Sequence, residues 1–180
     1  MEVDSIIIGK SLASVVEVTQ SAFRASRGNL FIGTTGTLLF GEGRFAWGRL
    51  FNPLGSNRNL TVQLFSIANF SPTPCTARLF LNPFPPGKVF TSPLTGNLKL
   101  NSTNIPVGKV QFSSFVTRIP VGGSLVALRR VPPNNTFDIS LEGNVLITPG
   151  KSFLFFLINQ SLTRASVEFV WWESPISSKL

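Results

Sequence analysis

Apolar and polar residues alternate with a period of two along most of this chain, the spacing that puts one face of a β-strand in a core and the other in water. Leu60, Val62 and Leu64 alternate with Thr61 and Gln63, after which the phase slips to Phe65 and Ile67, as a β-bulge requires. Ala77, Leu79 and Leu81 alternate with Thr76, Arg78 and Phe80, and the Asn82-Pro83 pair closes that strand. Phe137, Ile139 and Leu141 oppose Asp138, Ser140 and Glu142; Gly143-Asn144 follows, then Val145 and Ile147, which predicts a hairpin. Phe153 to Ile158 does not alternate and predicts a central strand covered on both faces. Val167, Phe169 and Trp171, set against Glu168, Val170 and Trp172, close the series. Strands are further expected near Leu30 to Phe40, Arg44 to Phe51, Lys88 to Leu94, Val110 to Ile119 and Ser124 to Val131. With about nine or ten strands in short intervals between turns, little room remains for helices, and the expected fold is all-β: a two-sheet β-sandwich with jelly-roll topology.

The beginning of the chain has a different texture. Val3 to Ile8 and Leu12 to Val18 are rich in β-branched residues, and the turn-like stretch Arg24 to Asn29 separates them from the rest. Residues 1–25 are therefore expected to be a leader or donor arm and residues 26–180 the sandwich. Ile6, Ile7, Ile8, Val15, Val16 and Val18 are the candidate assembly residues, because an extended segment can add to an exposed sheet edge and seat alternate side chains in pockets. The same strand could instead complete its own sandwich.

Charge sharpens this division. The chain carries 16 Lys and Arg against 8 Asp and Glu, and charged residues make up only 13% of it, where an ordinary soluble domain has about 25%. Residues 1–20 hold Glu2, Asp4 and Glu17 against Lys10, while residues 21–131 hold twelve basic residues against Glu42 alone. An acidic leader thus precedes a basic body, a balance suited to docking one subunit's leader on another's body. A charge-poor surface also implies apolar patches that must be covered, so the expected partners are copies of the same chain. Arg44, Phe45, Trp47, Arg49 and Phe51 interleave cations with rings as a nucleic-acid surface would, yet the same alternation suits a packed strand, and nucleic acid is not the expected partner.

Catalytic chemistry has few candidates. There is no histidine, which removes Ser/His/Asp and Cys/His schemes and His-ligated metals, and the single Cys75 can build neither a thiolate cage nor an intrachain disulfide. The acid pairs Asp138 with Glu142 and Glu168 with Glu173 read as solvent-facing charges rather than as glycosidase carboxylates. The glycine clusters lack the Lys-Ser/Thr partner of a phosphate loop. No catalytic, cofactor-binding or metal residues are expected, so the chain is expected not to be an enzyme. Five Asn-X-Ser/Thr triplets, beginning at Asn59, Asn69, Asn101, Asn134 and Asn159, read as turn and edge chemistry. The Phe153 to Ile158 run is far short of the roughly 20 apolar residues of a membrane helix, and the acidic start does not read as a signal peptide. Trp171 and Trp172 fall on opposite faces of the last strand, one for the core and the other for the surface or an interface.

The runs Leu60 to Ser71, Ala77 to Pro83, Pro149 to Leu157 and Val167 to Glu173 resemble an uncharacterised family of small proteins from spore-forming Gram-positive bacteria. A jelly-roll body behind an extended leader is also similar, more loosely, to the subunits of endospore appendage fibres. That likeness implies a structural subunit on the spore surface or outside the cell whose leader links one copy to the next. The leader lacks the cysteines of the appendage pattern, so any linkage here would be noncovalent. A viral or phage-like jelly-roll coat protein and a lectin-like carbohydrate-binding module are the alternative readings.

Overall fold

The computed structural model describes residues 19–176, which form one short helix and twelve strands. Helix α1 (Gln20–Ser26) starts where the Thr19 hydroxyl accepts a hydrogen bond from the Ala22 amide. It buries no residue, so its 7 residues carry no apolar stripe for a pattern search to find. The stretch expected to be a turn from Arg24 onward is thus helical through Ser26.

The strands are β1 (Leu30–Thr34), β2 (Leu38–Phe40), β3 (Phe45–Phe51), β4 (Arg58–Asn69), β5 (Cys75–Leu81), β6 (Phe90–Thr91), β7 (Thr95–Asn97), β8 (Lys109–Val116), β9 (Ser124–Val131), β10 (Asn135–Ile147), β11 (Ser152–Ile158) and β12 (Thr163–Pro175). They build two antiparallel sheets. The first has the order β10-β4-β12-β1-β7, with β2 also on β12; the second has the order β6-β8-β3-β11-β5-β9. Facing one another, they form the expected two-sheet β-sandwich.

Between the sheets lies a core dominated by phenylalanine. Phe65 sits 4.5 Å from Phe155 and 5.9 Å from Phe153 by ring centroids, and Phe169 closes the group at 6.0 Å from Phe155. The run Phe153 to Ile158 is indeed central: β11 pairs with β3 on one side and β5 on the other. Its inward rings Phe153 and Phe155 meet the first sheet. Leu154 and Phe156 point the opposite way, into a second apolar cluster with Trp47 and Val116 on the outer face. A strand buried on both faces has no place for polar alternation.

Register explains the phase slip in β4. Leu64 pairs with Val170 but Val62 pairs with Trp171, so Gln63 is the extra residue of a bulge, and the core-facing row changes from Leu60 and Val62 to Phe65 and Ile67. The hairpin expected at Gly143-Asn144 is instead a larger bulge: β10 continues along β4 on both sides of it, with Ser140 opposite Leu64 and Val145 opposite Val62. Glu142 and Gly143 supply the positive φ values, 49° and 80°, in or near the left-handed region. The turn residues signalled a local reversal of curvature, and the pairing available on β4 absorbed it without reversing the chain.

Candidate assembly surface

Of the residues expected to matter, Ile6, Ile7, Ile8, Val15, Val16 and Val18 lie outside the described residues. Trp171 and Trp172 do take opposite faces of β12, but both are buried. Trp171 stands in the core 6.0 Å from Phe31, and its indole N–H donates to Glu173 Oε1 at 3.1 Å. Trp172 is only 4% exposed, because the β10 bulge folds over it. A Cβ on Gly143 would come within 2.6 Å of the Trp172 ring, so the bulge reaches this close only with glycine at its tip. The expectation of one surface ring is therefore corrected, and the pair offers no exposed face for stacking on a sugar or anchoring a partner.

Glu173 is corrected too. It is buried, and its carboxyl oxygens accept three hydrogen bonds: from Trp171 Nε1, from the Val107 amide at 3.2 Å and from the Gly108 amide at 2.9 Å. The carboxyl ties the segment entering β8 to the end of β12. Its work is structural, since its acceptor sites are filled by the protein's own donors.

Asparagines serve the connections in the same way. Asn69 donates from Nδ2 to Thr73 O, Val131 O and Pro132 O while its Oδ1 accepts from the Ser71 amide, and Asn159 Nδ2 donates to the hydroxyls of Thr73 and Thr163. The mixed stretch Arg44 to Phe51 is packed rather than offered to a ligand. Trp47 is fully buried in the outer-face cluster and donates to Pro86 O at 2.8 Å. Arg49 lies 4.6 Å from the Phe51 ring and 5.7 Å from that of Trp47 with both Nε and a terminal nitrogen on Gln111 Oε1. Burial lowers the Arg49 guanidinium to about 10, which still leaves it charged at neutral pH.

Cys75 is buried, and burial pushes its thiol up to about 11. Because the thiolate is the reactive form, Cys75 in the native protein is expected to react with a thiol reagent at pH 8 at least about tenfold more slowly than in urea. A colorimetric time course in both conditions checks this, and equal rates would contradict the burial. Among the described residues no group of three or more His, Cys, Asp or Glu is placed to hold a metal ion, and no helix is long and apolar enough to cross a membrane.

What the surface does present is one open side. Each sheet order ends there, the second at β9 and the first at β10. Along β9, Leu125, Val126 and Leu128 are 48 to 56% exposed. Beside them Phe84 and Val121, joined by a two-bond bridge, are 78% and 69% exposed. Gly123 lets this loop lie on the β5 end: a Cβ there would fall 2.4 Å from Leu81 O, at a φ of +67°. Along β10 the core-facing row of Phe137, Ile139, Leu141 and Val145 packs on the core yet is only half-buried. Between the β5 end and the last residues of β10, a cleft of about 350 Å³ is lined by Leu81, Val145, Leu146 and Phe153. Contiguous exposed apolar groups beside unpaired edge backbone are the features of an association surface.

Charge differs between the two edges. Arg129 and Arg130 are exposed at the end of β9, whereas Asp138 and Glu142 are exposed on β10. Glu168, across Ser66 from Asp138, has its carboxyl pushed up by burial and by the charge of Asp138. The period-two pattern of the strands does not mark this side. The available signal was the unbroken run Leu125-Val-Ala-Leu128 followed by two arginines, an apolar segment that fails to alternate and then ends in charge.

No curated protein and no solved structure matches the chain. A family model does match, over residues 4–179, so the match takes in most of the leader as well as the sandwich. The chain accordingly belongs to the DUF6143 family, a family of unknown function.

Proposed function

We propose that this chain is a structural subunit that assembles with copies of itself into a fibre or layer, on the spore surface or outside the cell. The observation that carries the reading is the open side of the sandwich, where two long free edges stand together with the exposed Leu125, Val126, Leu128, Phe84 and Val121. Apolar edge strands left uncovered are templates for pairing with another chain, so a protein that keeps them has a use for them or aggregates. The sandwich is proposed to be a jelly roll. In support, the first sheet contains the run β1-β12-β4-β10 and the second the run β3-β11-β5-β9, in which early and late strands interleave as in a doubly wound Greek key.

In this reading the leader is the link between subunits: as an added strand it would turn Ile6 and Ile8 one way and Ile7 the other, with Val16 and Val18 opposed to Val15. Burying one large aliphatic side chain contributes about 1.5 to 3 kcal/mol, so four anchors would supply roughly 6 to 12 kcal/mol before ordering costs. Removing residues 1–18, which stops short of the Thr19 cap of α1, tests it. The shortened chain is expected to keep its β circular-dichroism spectrum and to form no polymers by sedimentation and negative-stain microscopy. An unfolded product would show that the segment completes its own sandwich, and unchanged polymers would remove the leader from the assembly.

A further inference from the structure

We propose that two copies dock side by side about a two-fold axis parallel to the strands, β9 of each pairing antiparallel with β10 of the other. The contact rests on the self-assembly reading and names its partner surface as a second copy of this chain. Each sheet of one copy would run on into the opposite sheet of the next.

Three observations favour this occupant. The two long free edges, β9 and β10, lie on one side of the sandwich, joined by the short connection Pro132–Asn134, while the sheets end at the other side in β6 and β7, of 2 and 3 residues. An axis along the strands exchanges the two sheets while keeping strand direction. It therefore presents β10 of the partner to β9, and the two run antiparallel because they leave the connection in opposite directions. The contact is isologous, so both copies satisfy both edges at once and the assembly closes as a dimer.

The second observation is the half-buried inner row. Phe137, Ile139, Leu141 and Val145 of β10 and Ala127 of β9 pack on the core from the rim of the open side. The exposed Leu125, Val126 and Leu128 lie along the same edge. A partner strand on each edge removes the inner row from water, while Leu125 and Leu128, opposite Phe80 and Arg78, stand on the outer face and are flanked by it; no other strand of the described residues is placed to do so.

Charge decides between the two possible two-fold arrangements. An axis perpendicular to the sheets would pair β9 with β9 and β10 with β10, each antiparallel; centred on the strands it sets Asp138 toward Glu142 and leaves Arg129 and Arg130 opposite the apolar Val126 and Leu125, without a counter-charge. The axis along the strands brings Arg130 of each copy toward Asp138 of the other, in both seams. Arg130 and Asp138 share the outward row, as their partners Thr76 and Ser66 show, and counting from the connection leaves them about one diagonal apart, roughly 7 to 8 Å between Cα atoms. Arg129 stands on the core-facing row opposite Ala77 and donates to Leu128 O at 2.9 Å. An inward charge at an edge deters indiscriminate strand addition, which makes this edge selective for one that brings acids.

The test uses the full chain and two exposed positions whose reversal leaves the core untouched. Arg130→Glu and Asp138→Lys are each expected to weaken the dimer about tenfold in sedimentation equilibrium, since each reversal converts attraction to repulsion in two seams. An equimolar mixture of the two variants is expected to recover wild-type affinity, because both of its seams are complementary. Single variants that dimerise as tightly as wild type overturn the arrangement, and so does a mixture no tighter than its components. Wild-type polymers that persist with both variants unaffected would leave the assembly reading standing and remove this contact. A wild-type chain that is monomeric at every concentration would remove both.

Discussion

Replacing Glu173 with alanine is expected to destabilise the fold by about 3 to 5 kcal/mol. The carboxyl accepts from three donors, the amides of Val107 and Gly108 and the Trp171 indole. Leaving a buried donor without a partner costs about 1 to 3 kcal/mol each, and some of that total is recovered if the segment before β8 lifts and admits water. Glu173→Gln keeps one acceptor oxygen and is expected to lose about half as much. Urea unfolding of the three proteins measures both differences. Because Val107 and Gly108 immediately precede β8, limited proteolysis of the alanine variant should cut first between residues 98 and 108. A loss below about 1 kcal/mol would show that the carboxyl holds the segment weakly.

Phe155→Ala is expected to cost about 3 to 5 kcal/mol for a different reason. Phe155 is fully buried, within 4.5 Å of Phe65, 5.4 Å of Phe153 and 6.0 Å of Phe169 by ring centroids. Truncation removes transfer free energy and leaves a cavity among rings fixed by strands that pair on both sides, so the site cannot collapse. For a domain of this size the melting temperature should fall by roughly 10 °C, read by calorimetry. Leu100→Ala is the control: at 99% exposed it should change stability by less than about 0.5 kcal/mol.

These two residues also mark where the sequence was legible and where it was not. Phe155 lies in a run without alternation, and a run of that length admits a strand covered on both faces; β11 is that strand. The β4 bulge was readable because a one-residue insertion shifts a period-two pattern by one step, visible at Gln63. Glu173 was unreadable, because its partners Val107 and Gly108 are backbone amides, which no side-chain pattern records. The Trp172 face was unreadable for the same reason: what covers it is the Gly143 backbone, brought there by a bulge that in sequence is indistinguishable from a hairpin turn. The open side escaped notice because exposure depends on which strands end a sheet, and strand order is set by pairings far apart in the chain.

Those long-range pairings govern how the chain reaches its fold. Leu30 pairs with Trp172 and Phe51 with Ser152, so β1 and β3, which also pair with β7 and β8, are completed on their second side only in the last thirty or so residues. While it is being made, the chain holds β1, β3, β4 and β5 without the strands that separate and cover them. Loop closure across most of the length must precede the reward of core packing, which makes slow folding the expectation and leaves sticky strand edges exposed in the interim. Synthesis therefore has to pass β12 before the sandwich can protect its aromatic interior, and any association through the free edges competes with misassembly until β11 and β12 have closed the two sheets.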